Sequence, residues 1–207
     1  MHTQADSAEP IGCCCSGARR GPRSRDGMDA VQPRTRDLRY TPVPMIEIRR
    51  INPADPLYAQ ETDLRERVLL RGAGFDFATF REEYPYEDEA EHFVALTVDS
   101  HAGNPVERVL GTALLIPNHP HDGYGKVTQV AVDPQRQGEG IGRRLMVTIE
   151  SRAFGELGLS EVYCHAQNSA MDFYKRVGWL VDGDEFVEAG IPHHRMFIKT
   201  PQPEHAD

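Results

Sequence analysis

Long apolar runs are missing from this chain of 207 residues. A transmembrane helix needs about 20 consecutive, mostly apolar residues, and no segment approaches that length. The first residues also lack the apolar stretch of a secretory signal peptide. We therefore expect a cytoplasmic protein that does not bind membranes.

Cysteine is scarce and unevenly placed. Three of the four cysteines are consecutive, at residues 13–15, and Cys164 stands alone. Neighbours in sequence provide no disulfide framework, and no C-x-x-C spacing indicates a zinc site. The loop N-H-P-H-D at residues 118–122 resembles a metal site only in composition and is more typical of a solvated turn. The sequence thus predicts a reducing compartment and no bound metal.

Basic residues are fewer than acidic ones, 23 Lys and Arg against 32 Asp and Glu, so the net charge is −9. Proteins that bind nucleic acids in general carry clusters of Lys and Arg, so this charge argues against that class. Residues 1–44 are the exception, with seven arginines against five acidic residues and few large apolar side chains. Such a segment cannot bury enough apolar surface to offset its ordering entropy, which predicts a disordered N-terminal tail. Patterned sequence begins at Met45, which is therefore a candidate natural start, testable by mass spectrometry of the native N-terminus.

The hydrophobic pattern predicts one folded domain over residues 45–200, with a frayed end at 201–207. The aromatic-rich residues 75–86 predict a short helix or a lid. Helical spacing of apolar residues predicts helices at 57–71, 141–157 and 170–177. Apolar runs predict strands at 45–51, 92–98, 108–116, 126–132, 161–165, 179–187 and 194–199, the second and third of them forming a hairpin. This order of elements describes a mixed sheet with helices packed on it.

One stretch between a strand and a helix suits a phosphate. Residues 129–144 read Q-V-A-V-D-P-Q-R-Q-G-E-G-I-G-R-R. Three alternate glycines, Gly138, Gly140 and Gly142, lead into a helix whose first turn carries about +0.5 charge. Glycine lets a ligand approach the backbone closely, and the exposed N–H groups of a helix start bind phosphate. Three arginines in the same stretch add positive charge, so it predicts a polyphosphate site.

Two well-known phosphate motifs do not fit this turn. A P-loop ends in Gly-Lys-Ser/Thr, whereas Gly142 is followed by two arginines. A dinucleotide-binding G-x-G-x-x-G would need glycine at Arg143 or Leu145. The sequence therefore disfavours a nucleotide hydrolase and does not fit a Rossmann-type site.

Three blocks of sequence carry a family resemblance. The string Q-G-E-G-I-G at 137–142 resembles the Q/R-x-x-G-x-G/A signature of the GNAT superfamily of acetyltransferases. The block D-F-Y-K-R-V-G-W at 172–179 resembles the second block of that family. H-A-Q-N at 165–168 and E-A-G-I-P-H-H-R-M at 188–196 resemble a bacterial subgroup of small GNAT enzymes. The resemblance covers about residues 45–199 and implies an α/β fold of the α+β type, with a mixed, mostly antiparallel sheet of six to seven strands flanked by helices.

The same resemblance implies a function. We expect an N-acetyltransferase that moves acetyl from acetyl-CoA to a primary amine of a small molecule or peptide, by direct attack on the thioester. Acetyl-CoA would be the acyl donor, with no metal. The alternative is a non-catalytic acyl-CoA-binding sensor or partner module of the same fold. The acceptor and the choice between monomer and homodimer stay open.

The resemblance also assigns residues that bind the donor. Backbone N–H groups of the glycine turn would hold the CoA pyrophosphate, which assigns Gln137, Gly138, Gly140, Gly142 and Arg143. Val130 and Val132 lie on the strand whose main chain would pair with the pantetheine arm. Asn168 is predicted as a helix N-cap, alone or with a CoA contact in addition.

Tyr174 is the leading catalytic candidate, because the family places a tyrosine here near the thioester sulfur. A thiol pKa near 8.5 lies below the tyrosine value of about 10, so a hydrogen bond to the departing thiolate suffices. Phe173 and Val177 of the same helix better suit the core.

The general base is less determined. Many relatives have a carboxylate on the strand before V-A-V, whereas this chain has Lys126, Thr128 and Gln129 there. The remaining candidates are three histidines, of which His165 ends the predicted strand beside the glycine-turn strand and would act through water. Alternatively, water accepts the proton or the acceptor amine is less basic, and no protein side chain is needed as the base. The other two histidines are His193 and His194.

Overall fold

Seven strands form one mixed sheet in the order β1-β2-β3-β4-β5-β7-β6. The computed structural model describes residues 45–101 and 104–200, without the side chains of 99–104. Among these strands only β4 and β5 pair in parallel, which confirms the predicted mixed, mostly antiparallel sheet. The predicted tail at 1–44 and the predicted frayed end at 201–207 lie outside the described residues. The strands are β1 Glu47–Ile51, β2 Glu91–His101, β3 Asn104–Pro117, β4 Tyr124–Val132, β5 Glu161–Gln167, β6 Leu180–Glu188 and β7 Ile191–Lys199.

Four α-helices accompany the sheet in the described part of the chain, in the predicted order. The aromatic-rich segment is a helix, whose start is capped by the Asp76 carboxylate accepting from the Thr79 N–H over 2.8 Å. Wider helical turns prolong the first helix over Glu66–Leu70 and the third over Ser151–Glu156. The helices are α1 Tyr58–Arg65, α2 Phe77–Glu83, α3 Ile141–Glu150 and α4 Met171–Arg176.

Both predicted hairpins have shorter turns than expected. Strands β2 and β3 extend to His101 and Asn104, where the sequence predicted a loop over 100–105. In the second hairpin only Ala189 and Gly190 separate β6 from β7, because β7 begins at Ile191. Backbone pairing continues at these ends through turn-type residues such as Ser100, Pro105 and Pro192, which a hydrophobic pattern does not mark as strand.

The helix α3 packs tightly on one face of the sheet. Its predicted apolar stripe is buried, with Ile141, Leu145, Ile149 and Ala153 each at most 1% exposed. A Cβ atom at Gly111 of β3 would lie 2.9 Å from Ile141 Cγ2 and 3.2 Å from Leu145 Cδ1. Glycine at this position therefore permits the close approach of helix and sheet, which fixes where α3 begins.

The helix α1 covers the opposite face and buries charged groups there. Arg65 donates two hydrogen bonds to the Glu87 carboxylate, from Nη1 to Oε1 over 2.6 Å and from Nη2 to Oε2 over 2.8 Å. Nearby, His92 Nδ1 lies 3.0 Å from both carboxylate oxygens of Glu61, which also accepts from Thr112 Oγ1 over 2.8 Å. All five of these residues are at most 1% exposed.

His92 completes the charge balance of this buried cluster. Its Nε2 lies 3.1 Å from the Glu87 carbonyl oxygen, so an acceptor faces each ring nitrogen and the charged imidazolium satisfies both. Burial lowers the pKa of His92, but hydrogen bonding and charge from Glu61 outweigh it and raise the pKa overall. Likewise, burial raises the pKa of Glu87 but Arg65 lowers it further, so that carboxyl is held ionised. Two cations and two carboxylates therefore balance inside the fold.

Candidate active site

Strands β4 and β5 diverge, and this opens the sheet. They pair only from Tyr124↔Glu161 to Val127↔Cys164. Beyond Val127, β4 continues beside β3, whereas β5 continues beside β7. The facing main chains are thus without a strand between them over the rest of their described length. An extended ligand can bind there by adding sheet-type hydrogen bonds.

A β-bulge in β4 lies where the strands diverge. Thr112 pairs with Ala131 and Leu114 with Thr128, so β4 has one residue more than β3 in this interval. Gln129 lies in the bulge with a φ of +51°. A bulge of this kind reverses the face to which the following side chains point.

The bulge sets the environment of the two valines predicted to line the pantetheine path. Val130 and Val132 pack against the core beside α3, whereas Ala131 is buried in the core beside α1. Their predicted role uses main-chain groups, with which this packing is compatible. Arg65 Nε donates to Gln129 Oε1 over 3.3 Å, so the bulge is also tied to the buried charged cluster.

The glycine turn has the shape that a phosphate needs. Gly138 and Gly140 have φ values of +83° and +78°, and a Cβ at either would meet nothing within 4 Å. Gly140 is the N-cap of α3 and provides no side-chain cap, so the first N–H groups of the helix are left for a ligand. Gly142 differs, because a Cβ there would lie 3.1 Å from the Phe173 ring. It allows α3 to pack closely against α4.

Most polar side chains around the glycine turn are already hydrogen-bonded to other groups of the protein. Arg136 Nε donates to Glu139 over 2.7 Å, and Arg144 Nη1 donates to the Ile46 carbonyl over 3.1 Å. Gln137 Nε2 donates to the Val132 carbonyl over 3.3 Å, which closes the turn onto β4. Arg143 is exposed and makes no hydrogen bond or ion pair within the part of the chain that the structure describes. It is therefore the arginine best able to meet a phosphate.

The opening between β4 and β5 leads into a cavity of about 210 Å³. One wall is apolar and aromatic, built by the end of the first helix and by α2. Polar side chains of the sheet form the opposite wall. The first wall includes Leu69, Leu70, Phe75, Phe80, Tyr84 and Tyr86, and the second includes Lys126, Thr128, His165, Gln167, Glu188 and His193.

His165 and Glu188 form a pair in this cavity. His165 Nδ1 lies 3.2 and 3.1 Å from the two carboxylate oxygens of Glu188. If Nδ1–H donates to the carboxylate, the neutral ring has its lone pair on Nε2, which suits a base. The hydrogen bond from His165 lowers the pKa of Glu188, so this carboxyl is ionised at neutral pH. Glu188 was not identified from the sequence, although it begins the subgroup string E-A-G-I-P-H.

Tyr174 is buried and lines the same cavity. Burial raises the pKa of its hydroxyl well above the usual value, so the hydroxyl keeps its proton and can donate a hydrogen bond. Its partner is the thiol of Cys164, whose own pKa burial raises to about 12. The Tyr174 ring lies 5.0 Å from Phe173 and 5.4 Å from Trp179, centroid to centroid. These rings fix its position.

The N-cap prediction for Asn168 was wrong. Gln167 is the cap of the short turn Asn168–Ala170, and neither that turn nor α4 has a side-chain cap. Asn168 instead bridges two strands, because Nδ2 donates to Glu185 over 2.7 Å and Oδ1 lies 2.9 Å from His194 Nδ1. These long-range partners outcompete a local cap.

The other two histidine candidates differ in position. His194 does not line the cavity, whereas His193 does. The Nδ1 atom of His193 lies 2.8 Å from the Ile191 carbonyl oxygen.

The described region lacks what a membrane-spanning helix and a metal site each require. None of its helices is long and apolar enough to cross a bilayer. Across residues 45–101 and 104–200, no three His, Cys, Asp or Glu side chains are grouped to hold a metal ion. The histidines of the predicted solvated loop have other contacts, since His119 Nδ1 lies 2.7 Å from the Tyr163 hydroxyl and His121 Nδ1 lies 3.2 Å from the Asp122 carbonyl.

Solved acetyltransferases have the same fold. An acyl-CoA N-acyltransferase from Pseudomonas aeruginosa superposes with a TM-score of 0.56 at 22% identity, covering 74% of this chain and 99% of that one. An aminoglycoside 6'-N-acetyltransferase solved with coenzyme A gives a TM-score of 0.58 at 15% identity, covering 76% and 99%. At these identities the similarity is one of fold.

Sequence comparison agrees. An uncharacterized N-acetyltransferase of Bacillus subtilis (strain 168), YjcF, is 32% identical over 111 residues, which are 53% of this chain and 71% of that protein. The family described as "Acetyltransferase (GNAT) domain" matches residues 73–200. With the opened sheet and the uncapped glycine turn, these findings identify the chain as a member of the GNAT acetyltransferase family, an acyltransferase whose donor is acetyl-CoA.

Proposed function

We propose that this protein is an N-acetyltransferase that moves the acetyl group of acetyl-CoA to a primary amine of a small molecule or a peptide. The observation that carries the proposal is the cavity where β4 and β5 diverge. It is lined both by Tyr174, a hydrogen-bond donor, and by His165, a base candidate. A cytoplasmic location and a monomeric or homodimeric state stay predictions beside it.

Donor binding follows from main-chain geometry. The N–H groups between Gln137 and Arg143 hold the pyrophosphate at the start of α3, where Gly138 and Gly140 leave space above the turn. The Arg143 side chain adds positive charge. The main chain of Val130 and Val132 pairs with the extended pantetheine arm, and Asn168, which directly follows β5, stays a further predicted contact.

His165 prepares the acceptor amine. An amine with a pKa of about 10.4 is neutral in only about one molecule in 10³ at pH 7, so reaction requires removal of a proton. Glu188 orients the imidazole through Nδ1 and leaves Nε2 to accept that proton, directly or through water. Glu188 is thus a positioning residue. Bound acetyl-CoA supplies the thioester carbon that the neutral amine attacks.

Tyr174 serves the leaving group. Its raised pKa makes full proton transfer to a thiolate unfavourable, so the hydroxyl acts by donating a hydrogen bond to the sulfur. The same hydroxyl is the hydrogen-bond partner of the buried Cys164 sulfur, and a thioester sulfur bound in the cavity offers its hydrogen a second acceptor. Cys164 itself is buried and stays protonated.

Replacing Tyr174 by phenylalanine tests this role. We expect Tyr174→Phe to lower kcat at least about tenfold, because one transition-state hydrogen bond is lost. The dissociation constant for acetyl-CoA, measured by calorimetry, should change less than about twofold. Tyr124→Phe is the matched control, since Tyr124 lies outside the cavity. Unchanged turnover in Tyr174→Phe on a productive acceptor would remove this residue from the mechanism.

An amine panel, with CoA release as the readout, tests the reaction itself. On any amine that is acetylated, His165→Gln should lower kcat between about 10-fold and 100-fold, since a general base is lost but water reaches the site. Glutamine retains a donor toward Glu188, so the fold is preserved. His121→Gln, an exposed histidine that bonds only the carbonyl next to it, is the control and should be silent. Equal rates for His165→Gln and the parent would assign proton removal to solvent.

The second candidate function is a non-catalytic acyl-CoA-binding sensor or partner module. The observation that favours it is the polar wall of the cavity, where Lys126 takes a position at which many relatives place a carboxylate. Tight acetyl-CoA binding together with no CoA release on any amine of a broad panel would support this function and contradict the enzymatic one.

A further inference from the structure

Lys126 brings a positive charge into the cavity. It pairs with Tyr163 across the parallel strands, so its side chain lies on the face of the sheet that carries His165. It is half-buried and lines the cavity. No hydrogen bond or ion pair joins its ammonium to another residue within the described ranges. A half-buried charge in this position is favourable only if a ligand or water solvates it.

The carboxylate that lines the cavity with Lys126, that of Glu188, is already engaged. Glu188 accepts from His165, and it is this hydrogen bond first, then the charges of His165 and Lys126, that lower its pKa. Lys126 thus acts on Glu188 through space without forming a salt bridge. The cavity therefore offers hydrogen-bond acceptors at Glu188 and His165, and a separate positive charge at Lys126.

The cavity wall that faces Lys126 is apolar and aromatic. Phe80 is 5% exposed and stacks on Tyr84 with ring centroids 4.9 Å apart, while Phe75 contacts both rings edge-on. Leu69 and Leu70 extend this wall toward β4. Such a surface binds an aromatic or branched aliphatic group.

We propose that the acceptor is a 2-amino carboxylate with an aromatic or branched aliphatic side chain, recognised by three groups of this cavity. Its carboxylate pairs with Lys126, its amine faces the His165–Glu188 pair, and its side chain packs on the Phe75–Phe80–Tyr84 wall. Polycationic amines are excluded by the unpaired charge of Lys126. This inference rests on the proposed N-acetyltransferase function and specifies its substrate.

Binding to the complex with CoA tests the inference without any chemical step. L-phenylalanine and phenethylamine differ only by the carboxylate, so calorimetric titration of each into the protein saturated with CoA isolates its contribution. We expect L-phenylalanine to bind at least about tenfold more tightly than phenethylamine, as a charge-assisted pair in a partly desolvated site allows. Lys126→Met, which keeps the length of the side chain, should remove this preference. L-leucine against isoamylamine should behave in the same way.

The control is the same substitution on the surface. Lys199 has a side chain that is 65% exposed and lies 3.5 Å from Glu161, so Lys199→Met should retain the preference for L-phenylalanine. Equal binding of the two ligands by the parent protein, binding of neither, or a preference that survives Lys126→Met would each overturn the inference. Acetylation of phenethylamine at an equal or higher rate would refute the substrate class while leaving the N-acetyltransferase function intact. A lack of turnover with L-phenylalanine bound tightly would support recognition by Lys126 and contradict the enzymatic function.

Discussion

Gly140→Glu is expected to raise the dissociation constant for acetyl-CoA at least about 100-fold, which corresponds to about 2.7 kcal/mol. Gly140 is the N-cap of α3 with a φ of +78°, and a Cβ there would meet no atom within 4 Å. The new side chain therefore occupies the open space above the turn and places a carboxylate where the pyrophosphate is proposed to bind. Like charges in such contact cost several kcal/mol. Calorimetry with acetyl-CoA measures the effect.

A second glycine separates this effect from backbone strain. Gly158 is exposed, has a φ of +66° and has equally open surroundings, but it lies at the other end of the same helical segment. A non-glycine residue in this conformation costs about 1–2 kcal/mol, so Gly158→Glu should show a similar loss of thermal stability. Its affinity for acetyl-CoA should be that of the parent protein. Normal affinity in Gly140→Glu would contradict the phosphate role of the turn.

Arg65→Met is expected to lower the free energy of unfolding by about 3–5 kcal/mol, because it leaves buried carboxylates without a partner. Arg65 is fully buried and holds Glu87 with two hydrogen bonds of 2.6 and 2.8 Å, and its guanidinium lies 5.1 Å from the centre of the Phe77 ring. Methionine fills much of the volume but offers no donor. Denaturant unfolding, followed at equilibrium, measures the loss.

Arg67→Met is the matched control on the same helical segment. Arg67 donates to Asp63 over 2.8 Å, but both side chains are exposed, at 42% and 60%. An exposed pair of this kind contributes little, so we expect a loss below about 0.5 kcal/mol. Equal losses in the two variants would mean that the buried cluster does not depend on Arg65. A large loss confined to Arg65→Met would show that α1 is held to the sheet by paired charges as well as by apolar packing.

Local features of the site could be read from the sequence. The alternate glycines, the stop at Asp133 and Pro134, and the stripe beginning at Ile141 all depend on residues a few positions apart. They correspond to a strand end, a turn with positive φ values and a buried helix face in the structure. Such features follow from backbone conformation and helical spacing, which neighbouring residues determine.

Contacts between distant residues could not be read in the same way. Glu188 meets His165 across 23 positions and Glu87 meets Arg65 across 22. The first pair depends on the two-residue turn between β6 and β7, and the second on how α1 lies over β2. Asn168 was mistaken for a cap because its local context fits one, while its actual partners come from two other strands.

By itself the sequence determined the glycine turn and the order of elements, because both depend on short-range spacing. The family and the donor followed from the resemblance of three sequence blocks to known acetyltransferases. The tertiary structure alone decided which groups line the cavity. It brought His165, Glu188 and Lys126 to one wall, and Phe80 of α2 with the aromatic residues that flank this helix to the other. The physical reason is that charge pairing and burial are properties of groups close in space, and the register of the sheet, with its bulge at Gln129, sets which groups those are.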